Sequence, residues 1–150
     1  MKEHIYNAAM IKRRGYLDEQ FMELEELQDD VNPNFVEEVA TLYFKDSARL
    51  INSIDQALER GSFDFNRLDN YMHQFKGSSS SIGASKVKTE CTMFREYCRV
   101  GNAEGWQDRR DLRRQHVGPS KRERHLRNQI IYSRLPLIRS ILSSTNNGIQ

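Results

Sequence analysis

The fold and the chemistry of this chain are both indicated by residues 64–82, which read DFNRLDNYMHQFKGSSSSI. On a helix with about 100° per residue, six of these residues fall in one sector about 100° wide. They are Phe65, Leu68, Met72, Phe75, Ser79 and Ile82. This spacing predicts an amphipathic helix whose apolar sector faces a core. His73 lies about 130° from the centre of that sector, so we expect its imidazole to face solvent.

The residues around His73 are unusual for a solvent-facing helix surface. Around the helix axis, Gly77 lies about 40° from His73, Ser80 about 20° and Lys76 about 60°. An exposed histidine or lysine is ordinarily a plain surface residue. A glycine inside a helix, however, costs up to about 1 kcal/mol relative to alanine, and the serines that follow it are mediocre helix formers. The glycine therefore predicts that another molecule approaches closely at this point.

These residue types suit phosphoryl transfer. An imidazole titrates near neutral pH, so a large fraction is neutral and nucleophilic. Its exposed nitrogen can attack an acyl phosphate in line, while the ammonium group of Lys76 stabilises negative charge on the equatorial oxygens. Nothing in residues 64–82 indicates a metal site or a nucleotide-binding loop. The pattern favours a histidine that carries a phosphoryl group.

The other residues up to about 105 also show helical spacing, with few strand signals. After Gly15, a short helix would bury Leu17, Phe21, Leu24 and Leu27. The next would begin at Asn32-Pro33, with asparagine as the cap, and end at Gly61. Its core face would carry Phe35, Val39, Leu42, Leu50, Ile54 and Leu58. We therefore predict an all-α fold, an antiparallel helical bundle.

A further helix would begin at Ser85 and end at Gly101-Asn102. It would place Val87, Cys91, Phe94 and Cys98 on one side. The chain has two cysteines, which fits a reducing compartment rather than a disulfide framework. We expect no membrane span, since no run of about 18 apolar residues occurs, and no secretory signal at the N-terminus.

Residues 71–84, YMHQFKGSSSSIGA, resemble the signature H-Q-x-K-G-S-S-x-S-x-G-A of plant histidine-containing phosphotransfer (HPt) proteins. Residues 15–21, 32–36, 91–99 and 101–105 are also similar to that family, so the resemblance covers about residues 1–105. It implies a four-helix bundle of the HPt type with an extra N-terminal helix. It also implies an HPt domain that occupies most of residues 1–105.

The resemblance implies a place in a phosphorelay. A hybrid sensor histidine kinase, typically a cytokinin receptor, would pass a phosphoryl group from its receiver aspartate to His73, and the chain would deliver it to the receiver aspartate of a response regulator. His73 would be the phosphoacceptor, Lys76 the stabilising cation and Gly77 the clearance residue, with Gln74 and Ser80 as binding residues. Some relatives have asparagine at the acceptor position and act as inhibitors, whereas this chain has histidine.

The same resemblance implies a phosphocarrier that is not an enzyme and has no kinase activity of its own. It implies no cofactor, because Mg²⁺ belongs to the partner's receiver domain. We expect the protein in the cytoplasm and the nucleus, with hybrid kinases and response regulators as its partners and with no membrane partner.

The resemblance ends after residue 105, where the composition changes. Residues 1–105 hold 13 Lys/Arg and 18 Asp/Glu, a net charge of −5, whereas residues 106–150 hold 10 and 3, a net charge of +7. We predict a divergent basic segment over 106–150, partly helical or disordered, so that the last bundle helix is altered or incomplete. Alternative splicing or a gene-model error would explain such an ending. Without a complete last helix, the apolar faces of the neighbouring helices would be exposed, and each large side chain left in water would lose about 1.5–3 kcal/mol of stabilisation. The melting temperature would then be lower than that of a full-length family member.

Three alternatives remain at this stage. An incomplete bundle would make the chain a competitor that binds receiver domains without transferring the phosphoryl group. A second alternative is that the basic tail binds nucleic acid, although basic runs of this kind are more often solvated and nucleic acid is therefore an unlikely partner. The residues that would contact the phosphates are Arg109, Arg110, Arg113, Arg114, Lys121, Arg122, Arg124 and Arg127. A metal site on Cys91, Cys98, His116 and His125 is weaker still, because buried cysteines are ordinary core residues.

Overall fold

The computed structural model describes residues 15–59, 64–115 and 121–149. Within these residues every regular element is helical, which confirms the all-α prediction. The helices are α1 (Glu19–Glu26), α2 (Phe35–Glu59), α3 (Phe65–Ile82), α4 (Ser85–Gln115), α5 (Lys121–Gln129) and α6 (Leu135–Ile149), with a π-helical turn, Ile130–Arg134, before α6. None of the described helices is long and apolar enough to cross a membrane.

Helix α1 precedes the longer helices of the bundle, and it packs on the turn between α3 and α4. Asp18 caps α1 by accepting a hydrogen bond from the Gln20 N–H at 2.9 Å, and the Asp18 N–H donates to the Gly83 carbonyl at 2.9 Å. Phe21 is buried. Leu27 was predicted on the buried side but is 62% exposed, because α1 already ends at Glu26.

Helix α2 begins at Phe35, two residues after the predicted start. The Phe35 N–H donates to the Asn32 carbonyl at 3.3 Å and so closes a turn ahead of the helix. The predicted core position of Leu42 is wrong, since its exposed fraction is 67%. Tyr43 is buried instead, and its hydroxyl lies 2.8 Å from Ser79 Oγ. A tyrosine whose hydroxyl has a partner can occupy a core position.

Helix α4 continues to Gln115, so the predicted end at Gly101-Asn102 is wrong. Gly101 is buried inside α4 where this helix crosses the start of α3. A Cβ at this position would lie 2.5 Å from both Cε1 and Cζ of Phe65. Gly101 therefore allows two helices to approach each other rather than ending one of them. The domain boundary predicted at residue 105 falls within this helix.

Pro136 does not interrupt the C-terminal segment. Proline has no N–H to donate to the carbonyl four residues earlier, and its ring crowds that carbonyl. The preceding π-helical turn relieves this conflict by widening the helix, so that the Leu135 N–H donates to the Ile130 carbonyl. Wide turns of this kind occur as local bulges within α-helices. The chain therefore stays helical from Lys121 through Ile149.

The C-terminal segment supplies the fourth wall of the bundle. Helix α6 packs against α2 and α4, the two helices that flank α3. The segment adds five residues to the buried cluster: Ile130, Leu135, Ile138, Ile141 and Leu142. The expectation of an open wall with exposed apolar faces is therefore wrong. The spacing of apolar residues did not predict this wall, because the π-helical turn rotates the apolar face around the helix axis within the segment.

Polar contacts hold this wall in place. Arg134 donates to Glu90 Oε2 at 3.2 Å and to the Tyr97 hydroxyl at 3.4 Å, and the side chains of Arg134 and Glu90 are only 20% and 14% exposed. A second ion pair joins Arg139 of α6 to Asp55 of α2. The C-terminal wall is thus attached to both of its neighbours by charged as well as apolar contacts.

Candidate functional site

Helix α3 presents His73 on its outer surface. Asp64 caps the helix by accepting hydrogen bonds from the N–H groups of Asn66 and Arg67, at 3.1 and 3.2 Å. Gly83 ends it in the left-handed conformation, at φ +80°. The six residues predicted for the apolar sector are all buried: Phe65, Leu68, Met72, Phe75, Ser79 and Ile82. His73 is exposed, as the sequence predicted.

The other predicted site residues lie on the same helix, α3, as this imidazole. Gln74 and Gly77 are exposed, whereas Lys76 and Ser80 are partly buried. Lys76 makes no hydrogen bond or ion pair with any residue in the described parts of the chain. Lys76 and His73 are three residues apart on α3, a spacing that brings helix side chains together.

Gly77 differs from Gly101, the buried glycine of α4. A Cβ built on Gly77 would meet nothing within 4 Å, whereas at Gly101 it would collide with Phe65 at 2.5 Å. Packing within the protein therefore explains Gly101 but gives no reason for glycine at position 77. The open space lies outside α3, next to His73. The role of Gly77 as clearance for another molecule stays a prediction.

The serine run after Gly77 divides into core and surface residues. Ser79 is completely buried beside Tyr43, and burial raises the pKa of the Tyr43 hydroxyl far above its usual range. Ser81 Oγ donates to the Gly77 carbonyl at 3.1 Å, and Ser78 Oγ donates to the Phe75 carbonyl at 3.1 Å. Because these side chains are small, they protrude little from the surface of α3 beyond Gly77. The hydroxyl groups of Ser78 and Ser81 nevertheless have hydrogen-bond partners.

A shallow groove adjoins the far end of this surface. It has a volume of about 670 Å³ and lies between α1, α2 and the C-terminal half of α3. Its apolar lining includes Leu24, Val39, Leu42 and Ile82, and Ser78 and Ser81 form its border on α3. Leu42, which the sequence placed in the core, is thus part of an exposed apolar surface on the α2 side of His73.

Sequence reasoning missed one charged pair beside His73. Asp69 lies one turn before His73 on α3, and Arg95 of α4 donates to it, with Nε 2.9 Å from Oδ1. Both side chains are partly buried, at 26% exposure for Arg95 and 35% for Asp69. The spacing of four residues between Asp69 and His73 predicts that their side chains are neighbours on α3. The sequence does not identify Arg95 as the partner of Asp69, because Arg95 lies on another helix.

The described residues contain no cluster of three or more His, Cys, Asp or Glu side chains that could hold a metal ion. Cys91 and Cys98 are buried, and burial raises the pKa of each thiol to about 12. Neutral buried thiols are poor metal ligands, since the thiolate is the binding form. His125 is exposed on α5, and His116 lies outside the described residues.

Comparison with known proteins assigns this geometry to a family. A model of the Hpt domain matches residues 38–132, more than half of the chain. The chain belongs to the Hpt family. Histidine-containing phosphotransfer protein 4 of Arabidopsis thaliana is 89% identical over 92 residues, covering 61% of this chain and 72% of that protein. A rice protein named pseudo histidine-containing phosphotransfer protein 2 is 46% identical over 141 residues, covering 94% of this chain and 85% of that protein.

Hpt structures also share the fold. A maize histidine-containing phosphotransfer protein superposes with a TM-score of 0.74 at 31% identity, covering 99% of this chain and 91% of that structure. The superposition therefore includes the C-terminal wall. As a member of the Hpt family, the chain is a histidine phosphotransfer mediator of two-component signalling, in a family of relay proteins that interact with kinases and response regulators.

Proposed function

We propose that the chain accepts a phosphoryl group on His73 from the receiver aspartate of a hybrid sensor histidine kinase and passes it to the receiver aspartate of a response regulator. One observation carries this proposal. His73 is an exposed imidazole in the middle of a well-capped helix, and the Gly77 position beside it is open for 4 Å around a built Cβ. A receiver domain could therefore approach the ring without displacing any side chain at that position.

The transfer needs only a nucleophile and charge stabilisation. The lone pair of an exposed nitrogen of His73 forms the P–N bond as the P–O bond of the aspartyl phosphate breaks. The aspartate carboxylate leaves with the bonding electrons, and the imidazole becomes an N-phosphorylated imidazolium. The reverse reaction delivers the phosphoryl group to the next aspartate. No net hydrolysis occurs, so the chain acts as a phosphocarrier.

The neighbouring residues take separate roles in this reaction. Lys76, which has no ion-pair partner among the described residues, would stabilise the charge on the equatorial phosphoryl oxygens. Gly77 would let the rim of the receiver reach the ring. Gln74 and Ser80, which follow His73 on α3 by one and by seven residues, would contact the docked receiver. The Mg²⁺ that such reactions use would be held by the receiver's own carboxylates.

The pathway and location are part of the same proposal. The likeness of residues 71–84 to plant HPt proteins supports cytokinin signalling, with a cytokinin receptor as the first donor. Transfer from a membrane-bound kinase to a nuclear regulator requires a carrier that is present in both the cytoplasm and the nucleus. We propose both locations for this chain.

A second candidate function is supported by the names of some relatives. The rice pseudo proteins include one that is 63% identical over 92 residues, a match that covers 61% of this chain and 49% of that protein. A chain of that kind could bind a receiver without accepting its phosphoryl group. The original reason for this alternative, an incomplete bundle, no longer holds, because α6 and the π-helical turn fill the fourth wall.

A phosphotransfer assay separates the two functions. The full chain is incubated with a receiver domain that carries a ³²P-labelled aspartyl phosphate and Mg²⁺. We expect an acid-labile, base-stable label on the wild-type chain and none on a His73→Gln variant. A His125→Gln variant is the matched control, because His125 is also an exposed helical histidine, and it should be labelled as wild type.

Binding is measured in parallel by titrating the chain into the unphosphorylated receiver. Label on the wild type that disappears only with His73→Gln supports the carrier. Binding without label supports the competitor and rejects the carrier. Label that survives in His73→Gln would show that another residue accepts the phosphoryl group.

A further inference from the structure

The ion pair between Asp69 and Arg95 lies next to the proposed phosphoacceptor. Asp69 and His73 are four residues apart on α3, a spacing that brings helix side chains together, with about 5–6 Å between Cβ atoms. Arg95 reaches across from α4 and contacts both carboxylate oxygens, with Nε 2.9 Å from Oδ1 and Nη2 3.5 Å from Oδ2. An ion pair between α3 and α4 is thus held by a residue that lies one helical turn before the reacting ring.

This pair is more enclosed than the ion pairs within single helices. Its side chains are 26% and 35% exposed, whereas those of Arg49 and Asp46 are 64% and 44% exposed. The hydrogen bond that Arg95 donates to Asp69 raises the pKa of Arg95 above its usual value, so the guanidinium remains charged. Charges that are partly withdrawn from water act on their neighbours more strongly than fully solvated charges do.

The charge of Asp69 has a specific consequence for a carrier. A phosphoryl group adds about 1.5 to 2 negative charges near neutral pH. An unpaired carboxylate one turn away would repel that group and weaken the phosphorylated state of His73. Arg95 cancels the carboxylate charge and still has N–H donors that Asp69 does not use, since a guanidinium has five.

We propose that the Asp69–Arg95 pair sets the equilibrium between phosphorylated His73 and the phosphorylated receiver aspartate. This inference rests on the proposed function of His73. Asp69 and Arg95 act as positioning residues through the charge that they place beside the ring, not by contact with the reacting nitrogen. A carrier must both accept and release the phosphoryl group. The pair keeps the affinity of His73 for it between the extremes that either charge alone would produce.

The test measures the equilibrium ratio of the two phosphorylated proteins in mixtures of labelled receiver and full chain. Arg95→Gln leaves the negative charge of Asp69, so the ratio should shift toward the receiver. Asp69→Asn leaves the positive charge of Arg95, so the ratio should shift toward His73. Each shift should be about three- to tenfold at low ionic strength and smaller at high salt. The double variant Asp69→Asn/Arg95→Gln, with no charge, should return close to wild type.

The matched control is the pair Arg139 and Asp55, which also joins two helices but lies between α2 and α6. Arg139→Gln and Asp55→Asn should leave the equilibrium ratio unchanged. Thermal melts report any loss of stability in all variants. A purely structural role of Asp69–Arg95 would lower the melting temperature without moving the ratio in opposite directions.

The outcomes distinguish this inference from the proposed function. If wild type takes no label on His73, the proposed function fails. If wild type is labelled but Arg95→Gln and Asp69→Asn shift the ratio in the same direction or not at all, the proposed function stands and the inference about the ion pair is overturned.

Discussion

Replacing Gly77 with alanine should make the protein more stable and less active at the same time. Helix α3 continues for five residues beyond Gly77, to Ile82, so the position is a true helix interior. Alanine is preferred over glycine there by up to about 1 kcal/mol. Because a Cβ at position 77 meets nothing within 4 Å, the new methyl group has no steric cost to offset this gain.

The expected magnitudes follow from these observations. The free energy of unfolding should rise by about 0.4–1 kcal/mol, which corresponds to about 1–4 °C in melting temperature for a chain of this size. In the complex, the methyl group would occupy space that the receiver needs. An overpacked contact costs about 1–3 kcal/mol, so transfer to and from His73 should slow about five- to hundredfold.

Thermal melts and rapid-quench transfer kinetics with a phosphorylated receiver measure the two effects. Gly101→Ala is the matched control with the opposite pattern. Its Cβ would lie 2.5 Å from the Phe65 ring, so that variant should lose stability, while the folded fraction transfers normally. A less stable Gly77→Ala protein would show that this glycine serves the fold. An unchanged transfer rate would show that no partner approaches it. Either result would rule out a clearance role for Gly77.

Three further predictions concern the groove, the C-terminal wall and the buried thiols. Leu42→Asp should weaken receiver binding in a titration. It should change the free energy of unfolding by no more than about 0.5 kcal/mol, because Leu42 is 67% exposed in the groove beside α3. Unchanged binding would show that the groove is not part of the interface. Arg134→Gln should lower the free energy of unfolding, measured in urea, by about 1.5–3 kcal/mol. The reason is that the Glu90 side chain, which is only 14% exposed, loses a charged hydrogen-bond partner. A decrease below about half of the lower value would mean that the C-terminal wall does not depend on this contact. Stability should also fall as pH rises above about 9, because burial raises the pKa of the Cys91 and Cys98 thiols from 9.0 to about 12, so the unfolded chain loses its thiol protons first. Between pH 8 and 10 the loss should be about 1–3 kcal/mol in urea denaturation, and a Cys91→Ala/Cys98→Ala variant should show a smaller loss.

Much of the fold was predictable because its helices follow simple spacing. The apolar sector of α3 was predicted residue by residue, since every core position there is apolar except Ser79. Helix α2 was harder, because Tyr43 and Ser47 fill core positions with polar atoms that hydrogen bonds satisfy, whereas Leu42 points outward. Local patterns do not reveal such pairing.

The C-terminal half of the bundle was not predictable from spacing alone. Gly101 looks like a helix end until the Phe65 ring is placed against it. Pro136 looks like a break until the π-helical turn before it is known. In both cases the local cost is offset by a contact with a distant part of the chain, and sequence periodicity does not contain that contact.

The residues of the candidate site were likewise predictable from the sequence only in part. His73, Lys76 and Gly77 share one helix, so their positions relative to one another followed from helix geometry. The pair of Asp69 with Arg95 joins residues 26 positions apart, and only the packing of α3 on α4 brings them together.

The most direct measurement is mass-spectrometric mapping of the phosphorylated residue after the full chain has reacted with a phosphorylated receiver, with the digest kept at neutral to basic pH. We expect one phosphopeptide, with the phosphoryl group on the imidazole of His73. A phosphoryl group on His125 or another residue, or an unmodified chain beside a receiver that has bound it, would show that His73 is not the phosphoacceptor.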